Sequence, residues 1–156
     1  MDFRFPAVSI KTLAMKQLFT ALTLLLFPLS SFAGFATKAE VGEVSDEFMT
    51  LVEAEKYNEA FALLKPDWPV AEEDYQTLKT MTAEQMVVVK NGFGAVTGAE
   101  WIRTEEIGES YIRLTYLQKF EKHALKWVLV YYNPADEWLV NQVSWDDNID
   151  TLFTEN

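Results

Sequence analysis

Between residues 37 and 93 apolar side chains recur every three or four positions, and from about residue 96 they alternate with polar ones. The two periods predict helices first and strands afterwards. In Thr37–Lys65, Val41, Val44, Phe48, Leu51 and Val52 share one side, with Glu40, Glu43, Asp46, Glu47 and Glu53 between them. Tyr57, Ala60, Phe61 and Leu64 line the next stretch, so the helix either continues or bends into a second one before Pro66 and Pro69 stop it. Ala71–Asn91 predicts a further helical region with Tyr75, Leu78, Met81, Met86 and Val89 inward and Thr82 as an internal cap. Gly92, Gly94 and Gly98 mark the passage into extended chain.

Four strands follow: Ala99–Ile107, Ser110–Phe120, Leu125–Tyr132 and Glu137–Trp145, all rich in β-branched and aromatic residues. Their connections are short: a two-residue hairpin at Gly108–Glu109, a loop over 121–124, and a turn at 133–136 with Pro134 at its second position. Short connections make neighbours antiparallel. The expected fold is α+β, with N-terminal helices packed on one face of a curved four-stranded antiparallel sheet. The tail, Asn148–Phe153, is expected to form one helical turn that returns Ile149 and Phe153 to the core.

Pairing Phe120 with Leu125 assigns the faces by parity. One face then carries Ile112, Leu114, Tyr116, Leu125, Trp127, Leu129, Tyr131, Trp138 and Val140, and should meet the helices. Its aromatics Tyr116, Trp127, Tyr131 and Trp138 are either core or the wall of a ligand pocket between sheet and helices. The other face carries Tyr111, Arg113, Thr115, Lys126, Val128, Val130, Tyr132, Asn141, Val143 and Trp145. Val128, Val130, Val143 and Trp145 form its apolar centre, which is either covered by the tail or serves as a homodimer or partner interface.

The first 33 residues change the picture of where the domain works. Lys16 precedes an apolar run from Leu18 to Leu29, and Ser31 and Ala33 are small residues placed for a cut before Gly34; a cut after Ala36 has Gly34 and Ala36 in the same roles. This is the pattern of an export signal. Met15 is a natural start for it, which puts residues 1–14 upstream of the true start. The run is shorter than the roughly 20 residues of a spanning helix, and it contains Pro28. Residues 34–156 are then a single α+β domain of the periplasm or the exterior, with no stable membrane anchor. The chain has no cysteine, so lipidated-cysteine anchors, disulfides and thiolate metal sites are excluded.

Its net charge is −11, and loss of Arg4, Lys11, Lys16 and Asp2 with the leader makes the remainder still more acidic. Such a charge repels phosphate backbones and argues against nucleic acid as a partner. The expected partners are an envelope protein, a small ligand or a second copy of the chain.

No catalytic set emerges. His123, the only histidine, lies in a charged turn, and no Gly-x-Ser-x-Gly motif is present. The glycines of 92–98 precede a strand instead of opening a helix, so they do not form a dinucleotide loop. Asp146, Asp147 and Asp150 lack the glycine and terminal glutamate of a calcium loop, and Asp147 or Asn148 serves more simply as a cap. No metal or cofactor is expected. Arg103 and Arg113 lie on strands; Glu105 is placed to pair with Arg103, and Arg113 is open to an anionic ligand.

Phe48-Met-Thr-Leu-Val-Glu-Ala-Glu-Lys-Tyr-Asn-Glu-Ala-Phe61 resembles the opening helices of small exported bacterial domains of the nuclear-transport-factor-2-like (cystatin-like) superfamily. Phe93-Gly-Ala-Val-Thr-Gly98, the strand end Tyr116–Phe120 and Asp136-Glu-Trp-Leu-Val140 also look like that group, over roughly residues 40 to 147. The resemblance implies a cone-shaped sheet wrapped on helices. It extends to isomerases, dehydratases and plain binding modules, so fold does not choose the function. Its enzymes use an Asp or His base in the pocket, and neither can be placed here by motif. The expectation is a non-enzymatic binding domain, with a small pocket enzyme of isomerase or hydrolase type as the alternative.

Overall fold

A computed structural model describes residues 34–153; the export signal expected over residues 1–33 lies outside the described residues. Helix α1 spans Lys38–Glu53. Thr37 caps it by accepting the Glu40 N–H at 3.2 Å, while the Glu40 carboxylate reaches back to the Ala36 N–H at 2.8 Å. The chain bends at Glu55, whose φ of 60° is left-handed. There the Lys56 N–H donates to the Leu51 carbonyl and the Glu55 N–H to that of Val52, a Schellman closure. Helix α2, Tyr57–Leu64, passes into a 3-10 turn at Lys65–Asp67 that contains Pro66.

Helix α3, Glu72–Phe93, is continuous. Thr82 does not restart it: the residue sits buried in mid-helix and accepts a hydrogen bond from the Trp145 indole at 3.2 Å. The helix stops at Gly94, with φ of 92°, where a Cβ would collide with Glu121.

Strands β1 (Val96–Ile107), β2 (Tyr111–Phe120), β3 (Ala124–Tyr132) and β4 (Leu139–Asp146) form an antiparallel meander in the order β1-β2-β3-β4. Gly108, Glu109 and Ser110 all lie in the first hairpin loop, closed by Ser110 N–H to Ile107 carbonyl. A further antiparallel bridge joins Phe35 to Trp138 through two backbone hydrogen bonds, of 2.9 and 2.8 Å.

The β2–β3 register pairs Gln118 with Leu125, two residues from the expected pairing of Phe120 with Leu125. A shift of two preserves parity. All nine residues assigned to the helix side are buried there, together with Phe48, Phe61 and Leu64 from the helices.

Parity fails on β4. A bulge sets in after the Tyr131–Val140 pair, so that Val130 meets Gln142, Leu129 meets Val143 and Trp127 meets Trp145. Val143 and Trp145 therefore belong to the helix side, correcting their expected place beside Val128 and Val130. Val143 joins the core, and Trp145 packs 6.1 Å from Trp127. Only Val128 and Val130 of that quartet share the outer face.

The tail forms a 3-10 turn at Ile149–Leu152 over this outer face, where the Leu152 carbonyl accepts from Arg103. Phe153 is 73% exposed, so Leu152 and Ile149, half-buried, hold the tail where Phe153 was expected to.

Candidate functional site

The four expected pocket residues lie together on the helix side but fill it instead of lining a void. Trp127 and Tyr131 are fully buried, and Tyr116 and Trp138 nearly so. Trp127 is wedged between Phe48, edge-on at 5.6 Å, and Tyr57, stacked at 6.5 Å. Phe35 stands edge-on to Tyr131 at 5.8 Å.

Polar groups inside this layer satisfy one another. The Gln118 amide donates to the Val52 carbonyl (3.1 Å) and the Tyr57 hydroxyl (2.9 Å), and its oxygen accepts from the Trp127 indole (3.1 Å). Tyr131 and Ser45 hydroxyls are 2.8 Å apart, and Ser45 also donates to the Val41 carbonyl. The Tyr116 hydroxyl donates to Asp46 at 2.8 Å. Burial pushes the Tyr116 phenol well above its ordinary range, reinforced by the Asp46 carboxylate; burial does the same to Tyr131 against the opposing bond from Ser45. These phenols remain neutral hydrogen-bond donors. Gln118 is a residue the sequence reading missed, although it interrupts the alternating apolar face of β2 between Tyr116 and Phe120.

Open space lies outside this packed layer, including a cleft of about 490 Å³ between the start of α2 and α3, lined by the polar Glu55, Lys56, Asn58 and Lys90 among others. Where α3 stands off the sheet, a groove of about 500 Å³ runs along the end of β4. Leu125, Val143 and Trp145 form its sheet wall; Leu78, Val89 and Phe93 form its helix wall. Met81, 50% exposed, stands at the rim. The hydrogen bond from the Trp145 indole to Thr82 spans the groove and fixes the ring as part of its surface. The titratable groups in the lining are Asp146 and Asp147, and Asp146 is held at 3.0 Å by Lys126. Nothing in this lining combines a nucleophile with a base.

His123 is exposed and edge-on to Phe93 at 4.7 Å. Among the described carboxyl groups, only Asp67 is pushed above its usual range, by burial and by the nearby Glu137; it does not line the groove.

The described residues form an α+β domain in which three helices pack with a curved, unclosed four-stranded antiparallel meander, with the α3–β4 groove at the edge of the helix layer. No known protein family, curated protein or solved structure matches the chain.

Proposed function

We propose that the chain is an exported, non-enzymatic binding domain of the cystatin-like cone type, and that it takes a small, mainly apolar ligand in the groove between α3 and β4. The observation that carries this reading is the groove itself. Its volume of about 500 Å³ falls in the range of small-molecule sites. Its walls are mainly apolar, interrupted by Thr82, Gln85 and Ser144, and its carboxylates belong to the end of β4 and the residue after it. That balance favours binding over the isomerase or hydrolase alternative.

Titration with a neutral environment-sensitive fluorophore, N-phenylnaphthylamine, tests the groove. Saturable enhancement is expected, together with a change in tryptophan emission from Trp145. Val89→Trp, which fills the helix wall, should abolish the enhancement without unfolding the chain. Equal binding by that variant, or no binding by the unmodified protein, would sink the reading.

Export is part of the same proposal, with the leader cut after Ala33. A cut after Ala36 would remove Phe35, which bridges Trp138 and packs against Tyr131. Amino-terminal sequencing of the protein recovered from the periplasm should begin at Gly34.

A second reading, a homodimer or envelope-protein contact through the outer face, draws support from Ile107. It is 75% exposed beside Tyr111 and Val130. Sedimentation at micromolar concentration separates this from a monomeric ligand carrier.

A further inference from the structure

On the face of the sheet opposite the helices, three strands bring three cations to one place. Arg103 of β1, Arg113 of β2 and Lys126 of β3 line a pocket of about 290 Å³ with Thr115, Val128 and Thr151. The tail roofs it. Arg103 donates to the Leu152 carbonyl at 3.2 Å, and Lys126 donates to Thr151 Oγ1 at 2.8 Å and the Asn148 carbonyl at 3.3 Å.

The Lys126 side chain is only 12% exposed, an unusual position for an ammonium group. Two carboxylates serve the three cations. Glu105 is shared by Arg113, at 2.8 Å to each oxygen, and by Arg103 at 3.2 Å, while Asp146 takes Lys126 at 3.0 Å. One positive charge is left over, in a chain whose net charge is −11.

Each guanidinium has five N–H donors in a rigid fork. Glu105 fixes the orientation of both arginines while occupying only part of each fork. Thr115 supplies the second observation. It lines the pocket from β2, on the same face as Arg113, and brings a hydroxyl to its wall.

We propose that this pocket is a binding site for a small oxyanion, a carboxylate or phosphate group, held by the free donors of Arg103 and Arg113 and by the Thr115 hydroxyl, with Lys126, whose three donors are already taken, contributing charge. The site is separate from the apolar groove and does not depend on it. Glu105 acts as a positioning residue that also competes with the ligand for the two arginines.

Calorimetric titration of the protein, purified after expression of the full chain, with inorganic phosphate and with succinate at low ionic strength tests the proposal. Binding of phosphate alone, succinate alone or both identifies the preferred oxyanion and supports the site; binding of neither overturns it. Thr115→Val keeps the shape of the residue and should weaken binding roughly tenfold, the scale of one hydrogen bond to a charged group. Arg113→Gln should weaken it at least as much. Glu105→Gln should tighten it, because it releases both guanidinium groups, whereas a merely structural cluster would show no such gain. Unchanged affinity in Thr115→Val and Arg113→Gln would place the anion elsewhere and overturn the assignment.

Discussion

Gln118 is the residue on which the helix–sheet contact turns. Its amide joins α1 (through the Val52 carbonyl), α2 (through Tyr57) and β3 (through Trp127) at a point with no access to water. Gln118→Leu keeps the volume but strands the indole N–H, the phenol and the carbonyl. Each stranded buried group costs about 1–3 kcal/mol. A loss of about 3 kcal/mol in urea unfolding is therefore expected; a loss below about 1 kcal/mol would mean that water replaces the amide. The buried phenols set a limit at high pH. Tyr57, Tyr116 and Tyr131 are pushed above the ordinary value of 10.0, burial being the largest cause in each case. A folded pKa above the unfolded one stabilises the fold below the unfolded value and loses that contribution as pH rises toward the folded one. Stability should hold up to about pH 10 and then fall, with phenolate absorbance at 295 nm appearing cooperatively with loss of circular dichroism. Gradual ionisation of all six tyrosines near pH 10 in a folded chain would contradict the packing around Tyr131.

At the scale of elements, the sequence is legible where one periodic rule applies and fails where the backbone departs from it. The helical stretches before Pro66, the four strands and the buried face of β2 and β3 follow from spacing alone, the α1–α2 bend was one of two open alternatives, and a register error of two left the faces intact. The bulge on β4 reversed Val143 and Trp145. No glycine marks it, yet the spacing of the buried and half-buried residues Trp138, Val140, Val143 and Trp145 changes from two to three and back to two. That step is the sequence trace of a bulge, and fixed alternation overlooks it. The groove was hidden for the same reason: its sheet wall contains the two residues whose orientation the bulge reverses. The cation pocket was half legible, since parity placed Arg113, Thr115, Lys126 and Val128 on one face and Glu105 beside Arg103, while the meeting of Arg103 with that face depends on how β1 pairs with β2. The Phe35–Trp138 bridge gives the amino-terminal segment a defined role at the start of β4. Phe35→Ala removes a half-buried ring that packs on Tyr131, and should cost about 2 kcal/mol in equilibrium unfolding, below the cost of truncating a fully buried phenylalanine. A loss within about 0.5 kcal/mol, the range of ordinary surface substitutions, would show that the bridge is dispensable and weaken the case for a cut after Ala33.

Over the whole molecule, 24 acidic side chains face 13 basic ones. The ion pairs of the described residues join mostly exposed groups, such as Lys38–Glu106, Lys56–Glu59 and Lys119–Glu100. Exposed pairs are worth about 0–1 kcal/mol each, and salt screens them. Repulsion among the unpaired carboxylates acts in the opposite sense and is spread over the surface, so salt relieves it. Because the acidic excess outnumbers the attractive contacts, screening should stabilise the fold as a whole. The melting temperature should rise by roughly 2–5 °C when sodium chloride is raised from about 10 to 200 mM, over which the Debye length shrinks from about 30 Å to less than 10 Å. A falling melting temperature would mean that the paired clusters, chiefly Arg103–Glu105–Arg113 and Lys126–Asp146, dominate the electrostatics. Repeating the scan at constant ionic strength with phosphate in place of chloride separates the general effect from the local one. General screening is indifferent to the anion, whereas occupation of the pocket beside Thr115 adds a further rise that Thr115→Val should diminish.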